Sequence, residues 1–281
     1  MRKAAVYAFI IPSLVGFCIF FLVPFFGGLS YALDVNGSLG FGNFARTLGN
    51  EAFQLALQNT MLFLVVCVPL NVFLPLFVAI VINNLGERSR LFKLSYISPI
   101  VVPVASVALF WSLLTARGGT MNALLAFVGL GQVDFLNSGW AVFVLAIIYL
   151  WKYLGYMMIL FLAGLSEIPP SFDESAAMDG AGKVKRFFYI TLPCLRPTLF
   201  FVFVLSVANS FKVFREIFLI AGPYPNESIY MLQHYMNNMF SRGDYPMLTS
   251  AAYITAIIII AFLLFMFMMN RRAQRKVTGS V

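Results

Sequence analysis

Apolar positions gather into six long stretches separated by polar segments, near residues 4–33, 55–83, 95–116, 140–163, 197–221 and 248–270. A helix needs about 20 apolar residues to cross a hydrocarbon core of about 30 Å, and each stretch meets that length. The pattern therefore predicts an all-α, polytopic membrane protein with six transmembrane helices. Pro12, Pro24, Pro69, Pro75 and Pro103 fall inside these stretches, and kinks are expected at them. In lipid such prolines are tolerated where neighbouring groups satisfy the freed backbone. The first stretch follows Arg2 and Lys3, as a signal peptide begins, but it is too long and lacks a small-residue cleavage site. It reads as a retained anchor.

Charge then orients the spans. Arg2, Lys3, Arg88, Arg90, Lys93, Lys183, Lys185, Arg186, Arg196, Arg271, Arg272, Arg275 and Lys276 fall on one side, against Arg46, Arg117 and Arg242 on the other. Basic residues favour the cytoplasmic side, so both termini and the segments 84–94 and 164–196 are expected there. Residues 34–54, 117–139 and 222–247 then face outward. The division is an N-terminal helix and outward loop over 1–54, a membrane domain over 55–270 holding the cytoplasmic loop 164–196, and a basic tail over 271–281. The expected location is the plasma or inner membrane.

Composition agrees with this and excludes other classes. Hydrophobic residues make up 61% of the 281, charged residues 11%, and mean hydropathy is +0.88, more than a soluble domain needs. The net charge of +8 is parcelled out between apolar runs, so it reports topology rather than a nucleic-acid footprint. Cys18, Cys67 and Cys194 show no disulfide or metal-ligand spacing, and the single histidine, His234, lies far from any of them. No Gly-rich phosphate loop ending in Gly-Lys-Ser or Gly-Lys-Thr occurs, so ATP is not expected to bind this chain.

The informative loop, read from Ser166, is SEIPPSFDESAAMDGAGKVKRFFYITLPCLRP. Ser171 and Glu174 have capping-box spacing, which predicts a helix starting at the serine. Ala176, Ala177 and Met178 favour that helix, and Gly180 suits its left-handed closing residue. A second helix over Lys183 to Tyr189 is expected to end at Pro193 and Pro197. Two short helices about a Gly-rich turn make a knob able to carry force between a soluble partner and the flanking spans.

This loop resembles the signature of binding-protein-dependent ABC importer permeases: Glu-Ala-Ala, three residues, Gly, nine residues, then Ile-x-Leu-Pro. Glu174, Ala176, Gly180, Ile190, Leu192 and Pro193 match it, and Ser175 replaces the first alanine. WKYLGYMMILFLAGLSEIPP resembles the fourth-span region of the carbohydrate-uptake branch. IIPSLVGFCIFFLVPF resembles the first span of the first permease in its maltose and glycerol-phosphate transporters. The resemblance implies a type I importer (MetI-like) fold and an ATPase-coupling set of Glu174, Ser175, Ala176, Asp179, Gly180, Ala181, Ile190, Leu192 and Pro193. It further implies a sister permease in a heterodimer, two ABC ATPase subunits holding ATP and Mg, an extracytoplasmic substrate-binding protein and a setting in membrane lipid; no cofactor is implied on this chain. The bland alternative is that Glu174 and Gly180 cap an ordinary surface helix.

Within the spans, Lys152 lies about 18 Å along a helix from Trp140, near mid-membrane. Tyr149, Lys152, Tyr153 and Tyr156 share one helical face. That stripe suits the apolar face and hydroxyls of a sugar; equally, the lysine could bond a carbonyl or carboxylate of a neighbouring helix. In the fifth span, Asn209, Lys212, Arg215 and Glu216 form a second polar run, with Lys212 and Glu216 spaced to pair across one turn. Asn209 and Lys212 are read as lining the path or its outer gate, against an ion pair reaching the outer interface. A secondary transporter or channel without an ATPase is the competing class, and Glu216 is its one candidate coupling carboxylate. An enzyme lacks any cluster with catalytic spacing.

Overall fold

Among the described residues, five of the six predicted stretches form helices long and apolar enough to cross a membrane. The computed structural model describes residues 2–35, 37–83, 85, 95–96 and 98–278. Arg88, Arg90 and Lys93, part of the charge asymmetry, lie outside the described residues.

The first span is α1 (Arg2–Phe17) and α2 (Val23–Leu33), joined through one widened helical turn at Cys18–Leu22. The widening falls just ahead of Pro24, whose ring and missing N–H conflict with regular i→i−4 bonding. After α3 (Gly42–Leu48), α4 (Glu51–Asn83) runs as one helix through both Pro69 and Pro75.

The third stretch departs from expectation. Its longer regular part, α5 (Val104–Thr115), has 12 residues and is set off from helical residues 98–101 at Pro103, where ψ is 142°. Twelve residues rise only about 18 Å, short of a bilayer core by themselves, so the crossing also needs the helical residues ahead of Pro103. Pro103 disfavours helical backbone at Val102, so the stretch is broken rather than kinked. Beyond α5 come α6 (Thr120–Phe127), α7 (Ala141–Ser166), α8 (Pro170–Met178), α9 (Lys183–Arg186), α10 (Arg196–Ser210), α11 (Phe214–Ala221), α12 (Leu232–Ser241) and α13 (Tyr245–Thr278). The segments read as outward loops are thus partly helical.

Two compact units emerge. One comprises residues 1–57 and 232–261. It holds a two-residue hairpin, β1 (Asp34–Val35) against β2 (Ser38–Leu39), turned by Gly37 at φ 83°. Asn43 donates to the Asp34 and Ala32 carbonyls at 2.7 and 3.3 Å, and Phe53 packs edge-on to Tyr235.

The other unit, residues 58–231 and 262–281, holds most of the functional candidates. Its core runs along α7. Ile148, Tyr149, Met157, Met158 and Phe161 are fully buried and pack with Val72, Leu76, Val107, Trp111, Leu195 and Ile217. Gly164 lets α10 approach: a Cβ there would lie 2.5 Å from Thr198 Oγ1 and 3.0 Å from Leu195 Cδ2.

Candidate functional site

The knob forms, with a different start. α8 begins at Pro170, after Pro169, and no side chain caps it, so the expected capping box at Ser171 and Glu174 does not form. Proline at the first helical position presets φ and has no N–H to satisfy, which makes the serine cap unnecessary. The C-terminal end follows expectation. Gly180 has φ 77°, its N–H donates to the Ala177 carbonyl, and the Ala181 N–H donates to the Ala176 carbonyl at 2.9 Å. That six-to-one bond closes a helix through a left-handed residue.

Pro193 does not end the second helix. Helical structure continues through a widened turn at Phe187–Thr191 into Leu192–Cys194, and α10 then starts at Arg196 with Pro197 in its first turn. As at Pro24, the wide turn absorbs the proline.

The signature residues divide by burial. Glu174, Ser175, Asp179 and Gly180 are exposed, with Ala176 and Ala181 half-buried. Ile190, Leu192 and Pro193 are half-buried, and Leu192 with Phe187 packs against the cluster holding Leu162 and Leu195. One half is presented and the other braces the knob to the spans. A contact not foreseen from sequence ties the pieces together: Arg186 donates to both the carboxylate and the carbonyl of Asp173. Met178 is 88% exposed, and Phe172 and Val184 are exposed as well.

The second candidate region is a cavity of about 400 Å³, bounded by Ile100, Val102, Pro103 and Val104 at the broken third stretch, by Lys152, Tyr153 and Tyr156 of α7, and by Leu205, Asn209, Lys212 and Arg215. Non-helical backbone at membrane depth is tolerated where it lines such a cavity. Three of the four α7 stripe residues are in its wall. Tyr149 is not: it is fully buried, donates its hydroxyl to the Ser206 carbonyl at 2.8 Å, and accepts from Asn71 at 3.2 Å. There α4 and α10 close over the stripe.

The charges pair differently from the expected i,i+4 arrangement. Lys152 forms an ion pair with Glu216, with 5% and 0% of the two side chains exposed. Lys212 instead donates to Asn209 Oδ1 at 3.0 Å. The cause is local: Phe211–Val213 is a tight 3₁₀ turn between α10 and α11. Three residues at three per turn rotate the following face by about 60° relative to an α-helix. Glu216 therefore faces α7 while Lys212 lines the cavity. Arg215 and Pro103 were not among the path candidates; the polar run and the intramembrane proline were their sequence signals.

Apolar spans around a polar cavity, with a helical knob between two of the spans, define a membrane transport subunit. The chain belongs to the family of binding-protein-dependent transport system inner membrane components, whose model matches residues 38–279. It is 34% identical over 84% of its length, and 82% of the relative's, to "Probable ABC transporter permease protein YesP" of Bacillus subtilis. It is 33% identical to the sn-glycerol-3-phosphate transport system permease protein UgpA of Yersinia pestis, over 73% of this chain and 72% of that one. A subunit in the crystal structure of a bacterial ABC transporter that imports the acidic polysaccharide alginate superposes with a TM-score of 0.87, at 26% identity and 96% coverage of each chain. The fold is that of a type I importer permease, and the protein is a multi-pass membrane subunit of a binding-protein-dependent importer.

Proposed function

We propose that the chain is one of two non-identical permeases in an ATP-driven carbohydrate importer. The single observation carrying the coupling part is the knob: signature residues Glu174 to Ala181 on an exposed helix, closed by Gly180 and strapped to α9 by Arg186. An extracytoplasmic binding protein delivers substrate, the two permeases form the path, and two ABC ATPase subunits bind ATP and Mg and close on them. The ATPases receive the exposed face of α8, and Ile190, Leu192 and Pro193 pass its movement to the spans. This chain contributes no catalysis and binds no nucleotide. The distribution of lysine and arginine supports placing the knob and both termini in the cytoplasm.

The carbohydrate reading is supported by relatives whose names specify sn-glycerol-3-phosphate and arabinooligosaccharides, and by the alginate importer. Tyr153, Tyr156 and Asn209 supply the aromatic and hydrogen-bonding surface such substrates need, alongside Lys152 and Lys212. Ion-coupled transport without an ATPase calls on an intramembrane carboxylate, and Glu216 is paired with Lys152.

Affinity purification of the full chain from gently solubilised membranes tests the reading. The expected result is co-purification of an ABC ATPase and a second permease, with vesicle uptake that requires ATP. Uptake by the isolated chain, driven by an ion gradient, would overturn it.

A further inference from the structure

The cavity's charge is unbalanced. Among the described residues, Lys152, Lys212 and Arg215 line it and no carboxylate does. Lys152 is neutralised by Glu216 from within the core. Arg46–Asp244, Arg117–Asp134 and Arg186–Asp173 are also ion-paired, and none of these pairs involves Lys212 or Arg215. The contacts of those two cations are with uncharged groups: Lys212 meets Asn209 Oδ1, Arg215 Nε donates to the Lys212 carbonyl at 3.4 Å, and the Arg215 side chain bonds the Tyr153 hydroxyl. Two positive charges one turn apart beside a low-dielectric core repel each other and favour an anion between them.

The direction of Lys212 separates this from simple anchoring at the membrane surface. Counted along the span Arg196–Ala221, its nearer end is Ala221. A lysine reaching for the interface extends toward that end. Lys212 instead bonds Asn209, one turn toward Arg196, beside the cavity. The N-terminus of α5 adds to the same field. Pro103 and Val104 are in the wall and no side chain caps this helix, so its first N–H groups and the positive end of its dipole lie at the cavity. Tyr153, Tyr156 and Asn209 supply rings and an amide, and about 400 Å³ accommodates a small sugar unit.

We propose that this cavity is a subsite for an acidic carbohydrate, with a carboxylate or phosphate held by Lys212 and Arg215 and the ring and hydroxyls against Tyr153, Tyr156 and Asn209. The inference rests on the carbohydrate-importer reading and narrows its substrate class.

The test uses cells carrying the complete importer and a matched strain lacking this chain. Both are fed a mixture of oligogalacturonides, hexose phosphates and neutral oligosaccharides, and the medium is resolved by anion exchange. Depletion of an acidic fraction only by the complete strain is expected, and the uronide and phosphate fractions identify which acid is carried. Lys212→Gln and Arg215→Gln should each slow that uptake by about tenfold, as for loss of a charge-assisted contact, and Lys212→Arg should recover much of it. Depletion of the neutral fraction alone would overturn the inference and leave the carbohydrate reading standing. Depletion of neither would overturn both. Unchanged acid uptake in assembled Gln variants would also overturn it and assign the two cations to lipid headgroups.

Discussion

Lys152 on α7 and Glu216 on α11 hold one another with almost none of either side chain exposed, while the second carboxylate oxygen, Glu216 Oε2, is buried with no hydrogen-bond partner among the described residues. The two residues are far apart in sequence, and their contact ties together α7 and α11, both of which contribute to the cavity wall. Burial of two charges gains little net stability, but removing one partner strands the other. Lys152→Met and Glu216→Met should each lower stability by about 3–5 kcal/mol, and the double variant should recover most of that loss. Thermal unfolding of the purified complex in one detergent measures all three. Equal losses that simply add in the double variant would show that the pair is not the cause.

The knob predicts a separation of two activities. Gly180→Pro removes the N–H that bonds Ala177 and forbids the positive φ, and Glu174→Lys reverses charge on the presented face. Both variants should insert and reach normal abundance. ATP hydrolysis should then proceed without matching uptake, measured on the same proteoliposomes. Uptake at the wild-type rate would remove α8 from the coupling path.

Gly164 predicts a packing defect at the base of α7. In Gly164→Ala the new Cβ meets Thr198 Oγ1 and Leu195 Cδ2, and overpacking of this kind costs about 1–3 kcal/mol. Thr198→Ala in the same chain should recover part of the loss because it removes the closest atom. A melting temperature for each single and the double variant checks this.

His234 predicts a pH dependence in the unit formed by residues 1–57 and 232–261. Burial pushes its imidazole down from 6.5 to about 4. Between those values the unfolded chain takes up a proton that the folded chain refuses, so stability falls as pH drops from about 6.5 toward 4 and is flat above. The slope is at most about 1.4 kcal/mol per pH unit. Melting curves across this range should show it, and His234→Gln should flatten it. An unchanged slope in that variant would place the titration elsewhere.

Much of the architecture could be read from residue order. Apolar runs located the spans to within a few residues, except at Pro103, where one local backbone restriction outweighed a long apolar stretch. The knob's closing residue was legible because the left-handed conformation at Gly180 is a local requirement. Its start was not: Ser171 and Glu174 have capping spacing, but Pro170 had already set the helix. The Tyr149 stripe was legible as a face, yet which part of the face meets a cavity depends on where α4 and α10 cross it.

By itself, then, the chain's order of residues determined how many long apolar segments there are, that a structured knob lies between the fourth and fifth, and that cations lie inside spans. All follow from local properties: length in lipid, backbone preference and residue chemistry. Only the tertiary structure decided that Glu216 pairs with Lys152 rather than Lys212, that Tyr149 is core, and that Lys212 and Arg215 share a cavity. Those outcomes depend on a three-residue 3₁₀ turn that rotates one helix face and on which neighbouring helix that face then meets, and neither is encoded in sequence spacing.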